Sequence, residues 1–172
     1  AEPVKIGGLM VGESVGKVIK SRSEKYSIGD IVTAHLGWQT HIVADDDSLF
    51  VRRVYPDLAP IQSYLGVAGM PGRKAYFGLL EVGKLKSEDT VVVSAASGAV
   101  GSVVGQIAKL KGCKTVGIAG GPDKCSFVKE EMGLDHAIEY KSGYLSKNLA
   151  DACTDGIDIY FEYVGGEVSN AV

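Results

Sequence analysis

Cysteine is scarce and scattered in this chain of 172 residues. Cys113, Cys125 and Cys153 stand alone, odd in number and without the spacing of metal ligands. That pattern argues against a disulfide framework and a zinc site alike, and reduced thiols in a cytoplasmic setting are the expectation. Histidine is just as thin, with His35, His41 and His136 far apart. Positive charge is not in excess. Lys and Arg number 18 against 21 Asp and Glu, a formal net charge of −3. This leaves no electrostatic footprint for nucleic acid or for an anionic membrane. The sequence AEPVKIGGLM carries no signal-peptide pattern. The chain starts in mid-pattern and stops at GGEVSNAV as a helix begins, so a piece of a longer protein is expected. Hydrophobic residues at 45% against 23% charged exclude a disordered chain.

Strongly apolar runs are also missing. Thr90 to Ala108 holds no charge and even contains a GxxxG pair, Gly101 and Gly105. Its apolar members are mostly Ala and Val, diluted by Ser94, Ser97, Ser102 and Gln106, which is too weak for a membrane span. The stretch divides instead into two periods. Thr90–Val93 is a continuous β-branched run, as in a buried parallel strand. After Gly98, apolar residues recur at Val100, Val103, Val104 and Ile107, the spacing of a helix, which Gly112 stops.

Strand, glycine turn and helix in succession form an anion-binding arrangement. Gly98 would let the backbone turn sharply and approach a ligand, and Gly101 would let the helix pack on the strand. The N–H groups of the first helical turn then face the ligand. The spacing resembles the dinucleotide fingerprint, with Ala95 where its first glycine usually stands.

The unit then repeats. Strands are expected at Thr115–Ala119, Ala137–Tyr140 and Ile157–Phe161. Helices are expected at Asp123–Met132, opened by Pro122 and closed by Gly133, and along the face of Leu145, Leu149 and Ala152. Such alternation predicts an α/β fold, a Rossmann-type doubly wound parallel sheet with helices on both faces. Ligands in these sheets sit at the carboxyl ends of the strands, where Gly98, Gly120, Tyr140 and Tyr163 fall.

The end of the second strand selects among dinucleotides. An acid there would bind the ribose 2′-hydroxyl of NAD, but Ala119-Gly120-Gly121 occupies the position. Lys124 follows within one helical turn, and Tyr140 could add a hydroxyl. These point to NADP(H). Asp123 is expected to cap its helix.

Residues 1–56 lack helical periodicity. Strands are expected at Ser14–Lys20, Ile31–Ala34 and Gly37–Val43, parts of a small β-barrel. Asp45-Asp46-Asp47 reads as an exposed turn without the oxygen ligands of a calcium loop. Trp38 reads as a core anchor rather than a substrate contact. From Pro60 the pattern turns helical, with Ala75, Tyr76, Leu79 and Leu80 on one apolar face ended by Gly83. The boundary is placed at residue 62, giving units 1–62 and 63–172.

The segments GDIVTAHLGWQTHIV, GVAGMPGRKAYFGLLEVG, VVVSAASGAVGSVVGQIAKLKGC, GIAGGPDKC and IEYK together resemble the medium-chain dehydrogenase/reductase superfamily, in its zinc-free prostaglandin reductase branch, which also holds leukotriene 12-hydroxydehydrogenase and bacterial curcumin reductase. The resemblance implies part of a GroES-like β-barrel before an incomplete Rossmann domain, and a cytoplasmic homodimer. It implies NADPH-dependent reduction of the double bond of an α,β-unsaturated ketone or aldehyde. Gly98, Ala99, Val100 and Gly101 would line the pyrophosphate, Lys124 and Tyr140 would meet the 2′-phosphate, and Met70 would lie near the nicotinamide. Two positions depart from the family pattern. Lys74 stands where a threonine is usual, and Glu162-Tyr163 where Asp-Asn is usual, the asparagine being a cofactor contact. No residue is assigned a catalytic role. A zinc alcohol dehydrogenase is disfavoured by the missing ligands. A non-catalytic NADPH-binding protein of the same fold is the second reading, motivated by Tyr163.

Overall fold

The computed structural model describes residues 3–45 and 51–172. They form two compact units that divide between Met70 and Pro71. The division falls later than residue 62 because the 3-10 turn Ile61–Leu65 packs on the first strand.

The first unit carries a three-stranded antiparallel sheet. Strand β1 (Ser14–Lys17) pairs with β2 (Ile31–Ala34), which pairs with β3 (Arg52–Val54). The strand expected to run to Lys20 thus ends at Lys17. Gly37–Val43 forms no strand. Gly37 has φ +84°, a turn conformation that breaks extended pairing. Trp38 is 66% exposed and not a core anchor. Its indole lies against Gly12, where an added Cβ would come within 2.4 Å of Nε1. Asp46 and Asp47 of the expected acidic turn lie outside the described residues. Arg53 secures the β3 edge, its Nη2 donating to the Asp30 carboxylate at 2.9 Å.

The second unit is a four-stranded parallel sheet in the order β6-β5-β4-β7. The strands are β4 (Thr90–Val93), β5 (Lys114–Ala119), β6 (His136–Glu139) and β7 (Ile159–Phe161). Period-two alternation sorts the buried side chains to two faces. Val91 and Val93 join Ala75, Leu79, Val104, Ala108 and Val128 in one core. Val92, Val116 and Ile118 join Ile138, Leu149, Ala152 and Val168 in the other. Helices therefore cover both faces, and the fold is the doubly wound Rossmann type. They are α1 (Met70–Tyr76), α2 (Gly101–Leu110), α3 (Pro122–Ser126), α4 (Leu145–Ala152) and α5 (Gly166–Ala171).

Two helices widen into π turns, Phe77–Val82 after α1 and Phe127–Glu131 after α3. The helix expected over Asp123–Met132 is thus part α and part π. Tyr76, expected on the apolar face, is 49% exposed. The strand expected to reach Tyr140 stops at Glu139, because Tyr140–Ser142 coils into a 3-10 turn. Strand β7 begins at Ile159 rather than Ile157. Among the described residues, no helix is long and apolar enough to cross a membrane.

Candidate functional site

The chain passes from β4 to α2 through residues 94–100 at the carboxyl end of the central strands. The turn is tied to its neighbours by backbone. Ser94 N–H donates to the Phe161 carbonyl of β7 at 3.2 Å, and Ala96 N–H to the Ile118 carbonyl of β5 at 3.0 Å. The residue that reverses the chain is Ala95, with φ +48°, and not Gly98, whose φ lies outside the left-handed region. Alanine pays a modest strain there that glycine would avoid. The two glycines answer a close approach instead. A Cβ on Gly101 would meet the Ala95 carbonyl oxygen at 2.4 Å, and one on Gly98 would meet it at 3.0 Å. Both obstacles are backbone, so neither can swing aside.

This packing leaves donors at the start of α2. The first bond into the helix runs from Ser102 N–H to the Gly98 carbonyl at 2.9 Å. No side chain among the described residues caps the helix. Among the described residues, the amides of Ala99, Val100 and Gly101 find no acceptor. Three donors at the positive end of a ten-residue helix suit a diphosphate-sized anion.

On one side lie the ends of β5 and β6. The Tyr140 ring covers Gly120, so that a Cβ there would lie 2.9 Å from Cε1. Gly120 is therefore small to receive a tyrosine. Tyr140 is 40% exposed, and its hydroxyl has no hydrogen bond among the described residues. Lys141 places its ammonium 5.8 Å from the centre of that ring, a cation the sequence reading passed over. Lys124 is exposed and forms no ion pair among the described residues. Asp123 does not cap its helix. Gly121, at φ +100°, takes the N-cap position, Pro122 follows it, and no side chain bonds the free amides.

On the other side lies the end of β7. Tyr163 is 50% exposed, and its N–H donates to Ser94 Oγ at 2.7 Å. Ser94, fully buried, also donates to the Phe161 carbonyl at 3.3 Å. It fastens β7 to β4 at the site, a role its polarity within an apolar run could have signalled. Glu162 Oε1 accepts the N–H groups of Val164 at 2.8 Å and Gly165 at 2.7 Å. Hydrogen bonds from Ser169 and from these amides lower the Glu162 carboxyl to about 2. Lys74 of α1 donates to the Tyr163 hydroxyl at 3.4 Å. Met70 opens α1, half-exposed, and falls outside the unit that carries the other candidate residues.

The three thiols are not poised as nucleophiles, since burial raises the pKa of Cys113, Cys125 and Cys153 alike. No group of three or more His, Cys, Asp or Glu is placed to hold a metal ion among the described residues.

Comparison with known proteins bears on this arrangement. Residues 99–172 match the family model described as "Zinc-binding dehydrogenase", and residues 1–51 match "N-terminal domain of oxidoreductase". The whole chain is 49% identical to prostaglandin reductase 1 of Mus musculus, covering 53% of that protein. Over 99% of its length it is 47% identical to the NADPH-dependent curcumin reductase of Escherichia coli, covering 49% of it. A crystal structure of CurA from Vibrio vulnificus in complex with NADPH superposes with a TM-score of 0.87, at 48% identity, covering 100% of this chain and 50% of that one. The chain thus spans about half the length of the relatives it matches.

Proposed function

We propose a reductase function for this chain, which belongs to the medium-chain dehydrogenase/reductase superfamily, in the branch of the prostaglandin, curcumin and alkenal reductases. The full protein reduces the carbon–carbon double bond of α,β-unsaturated ketones or aldehydes with NADPH. The observation that carries this reading is the cradle at residues 98–101. There bare backbone at Gly101 lets the Ala95 carbonyl pack against the start of α2, and three unpaired amides stand at the point where the sheet order reverses.

The residues present fit the cofactor. The Ala99, Val100 and Gly101 amides would hold the pyrophosphate. The 2′-phosphate would lie on the β5–β6 side, where Ala119-Gly120-Gly121 offers no carboxylate to repel it and Lys124 and Tyr140 offer donors. The nicotinamide half would lie on the β7 side, beside Tyr163. NADPH, when bound, supplies hydride to the β-carbon of the substrate. The protein's part is to orient the enone, exclude water and direct a donor at the oxygen where enolate charge develops. The first unit is assigned to part of a GroES-like barrel and the second to the cofactor domain. A zinc-independent, cytoplasmic homodimer completes the reading.

The test is a cofactor-difference titration on the full-length protein, with Lys124→Ala beside wild type. The variant should lose about 1–3 kcal/mol of NADPH affinity, as for a charge-assisted contact, and leave NADH unchanged. Equal losses for both cofactors would refute the 2′-phosphate role. Turnover of an enone with NADPH by wild type is the second arm. Binding without turnover across a broad enone panel would favour a non-catalytic protein of this fold.

A further inference from the structure

The helix α1 and its π extension run alongside β7 in the opposite direction, and three pairs of residues mark the alignment. Gly83 faces Ile159, with an added Cβ 3.5 Å from Cδ1. Gly78 faces Phe161, with an added Cβ 2.8 Å from Cε2. Lys74 reaches Tyr163 at 3.4 Å. Each step covers two residues along the β7 line, about 6.6 Å. On the helix, the step from Lys74 to Gly78 is four residues, about 6 Å of α-helical rise. The step from Gly78 to Gly83 is five, closed by the π hydrogen bond from Gly83 N–H to the Gly78 carbonyl at 2.9 Å. The π turn therefore sets which residue of α1 stands over Tyr163. Bare backbone at Gly78 lets the Phe161 ring lie close and fixes the spacing.

The backbone at and after Tyr163 is held by side chains. Its own amide is bound to Ser94, and the next two amides to Glu162. The polarity of its hydroxyl is then set by chemistry. An ammonium can only donate, so the Tyr163 oxygen accepts from Lys74 and its own proton points elsewhere. Tyr163 is half-exposed just past the carboxyl end of β7, so that proton is available to a ligand. A hydroxyl so arranged is a donor, and a carbonyl oxygen is an acceptor that suits it.

We propose that Lys74 and Tyr163 form an oriented donor pair, in which the Tyr163 hydroxyl donates to a carbonyl oxygen of the bound ligand and Lys74 positions that hydroxyl. The pair rests on the reductase reading above. Two carbonyls would reach this side of the site, the carboxamide of the nicotinamide and the ketone of the enone. The chemistry of recognition is the same for both.

The experiment uses the full-length protein as wild type, Tyr163→Phe, Lys74→Met and the double variant. NADPH and 2′,5′-ADP, which lacks the nicotinamide, are titrated by fluorescence and calorimetry. Then kcat and KM are measured with but-3-en-2-one. If the carboxamide is the acceptor, Tyr163→Phe weakens NADPH about tenfold and leaves 2′,5′-ADP unchanged. If the enone is the acceptor, kcat falls about tenfold while both dissociation constants hold. In either case Lys74→Met gives a smaller loss, and none once Tyr163 is Phe. The pair is overturned if Tyr163→Phe stays within twofold of wild type throughout. It is also overturned if 2′,5′-ADP weakens equally, or if the two substitutions add independently. A wild type that binds no NADPH overturns the reductase reading itself and the pair with it.

Discussion

The two ends of the parallel sheet are built from different chemistry. At the amino ends of the strands, carboxylates close on backbone and side-chain donors. Asp135 Oδ2 accepts Thr115 N–H at 2.9 Å and its hydroxyl at 2.8 Å, and Oδ1 pairs with Lys109. Asp158 accepts Thr90 N–H at 2.8 Å. A hollow here is lined by Lys109, Gly112, Cys113, Lys114 and Asp135, and Lys109 and Asp135 within it are already paired. At the carboxyl ends, the amides of Ala99–Gly101 and the hydroxyl of Tyr140 have no partner among the described residues, and Lys124 no ion pair. One end closes its polar groups on the fold, and the other, beside the amides that Ser94 and Glu162 bind, keeps donors open for a ligand.

Four substitutions in the full-length protein can break or sharpen that contrast. The largest effect is expected from Gly101→Val. Its Cβ would collide with the Ala95 carbonyl, so NADPH affinity should fall at least about a hundredfold and stability by about 3 kcal/mol, measured by titration and denaturant unfolding. Asp135→Asn comes next, with a loss of about 1–3 kcal/mol in stability and NADPH affinity unchanged. Burial raises the Asp135 pKa, but hydrogen bonds from Lys109 and Thr115 outweigh it and leave the pKa lowered. Its contribution is therefore full above the unfolded carboxyl value and is lost as pH falls through the lowered folded value. Urea midpoints of wild type and variant should converge in acid.

Ala95→Gly should stabilise modestly, by no more than about 1 kcal/mol, since relief of the left-handed alanine is opposed by added freedom in the unfolded chain. Thermal unfolding checks the sign. The smallest effect belongs to Glu162→Gln. With its folded pKa at about 2, the carboxylate holds its loop from neutral pH down to that region. The variant should exchange the Val164 and Gly165 amides faster at every pH above it, read by hydrogen exchange.

Much of the open end was legible from local pattern. The β-branched run at Thr90–Val93, the glycines after it and the alternation of strands and helices are short-range signals. They led to the parallel sheet and to the residues at its carboxyl ends. Three features were not legible, each for a physical reason. The left-handed alanine at 95 breaks the rule that glycine marks such positions. Trp38 and the stretch around it carry strand-forming residues, yet Gly37 turns the chain there and the third strand comes from Arg52–Val54. The meeting of Lys74 with Tyr163 joins positions 89 residues apart. No periodicity reports such a contact, because it depends on a π turn whose register sequence spacing does not reveal.

That π turn inserts one residue's worth of slack into an otherwise regular spiral. Removing a single residue between Phe77 and Val82 would restore ordinary winding, four residues then making about the turn that five make now. The lysine upstream would keep its place over the phenol. A residue added to the spiral outside that slack has nothing to absorb it and would rotate the upstream end by about 100°, carrying the lysine away from the rim.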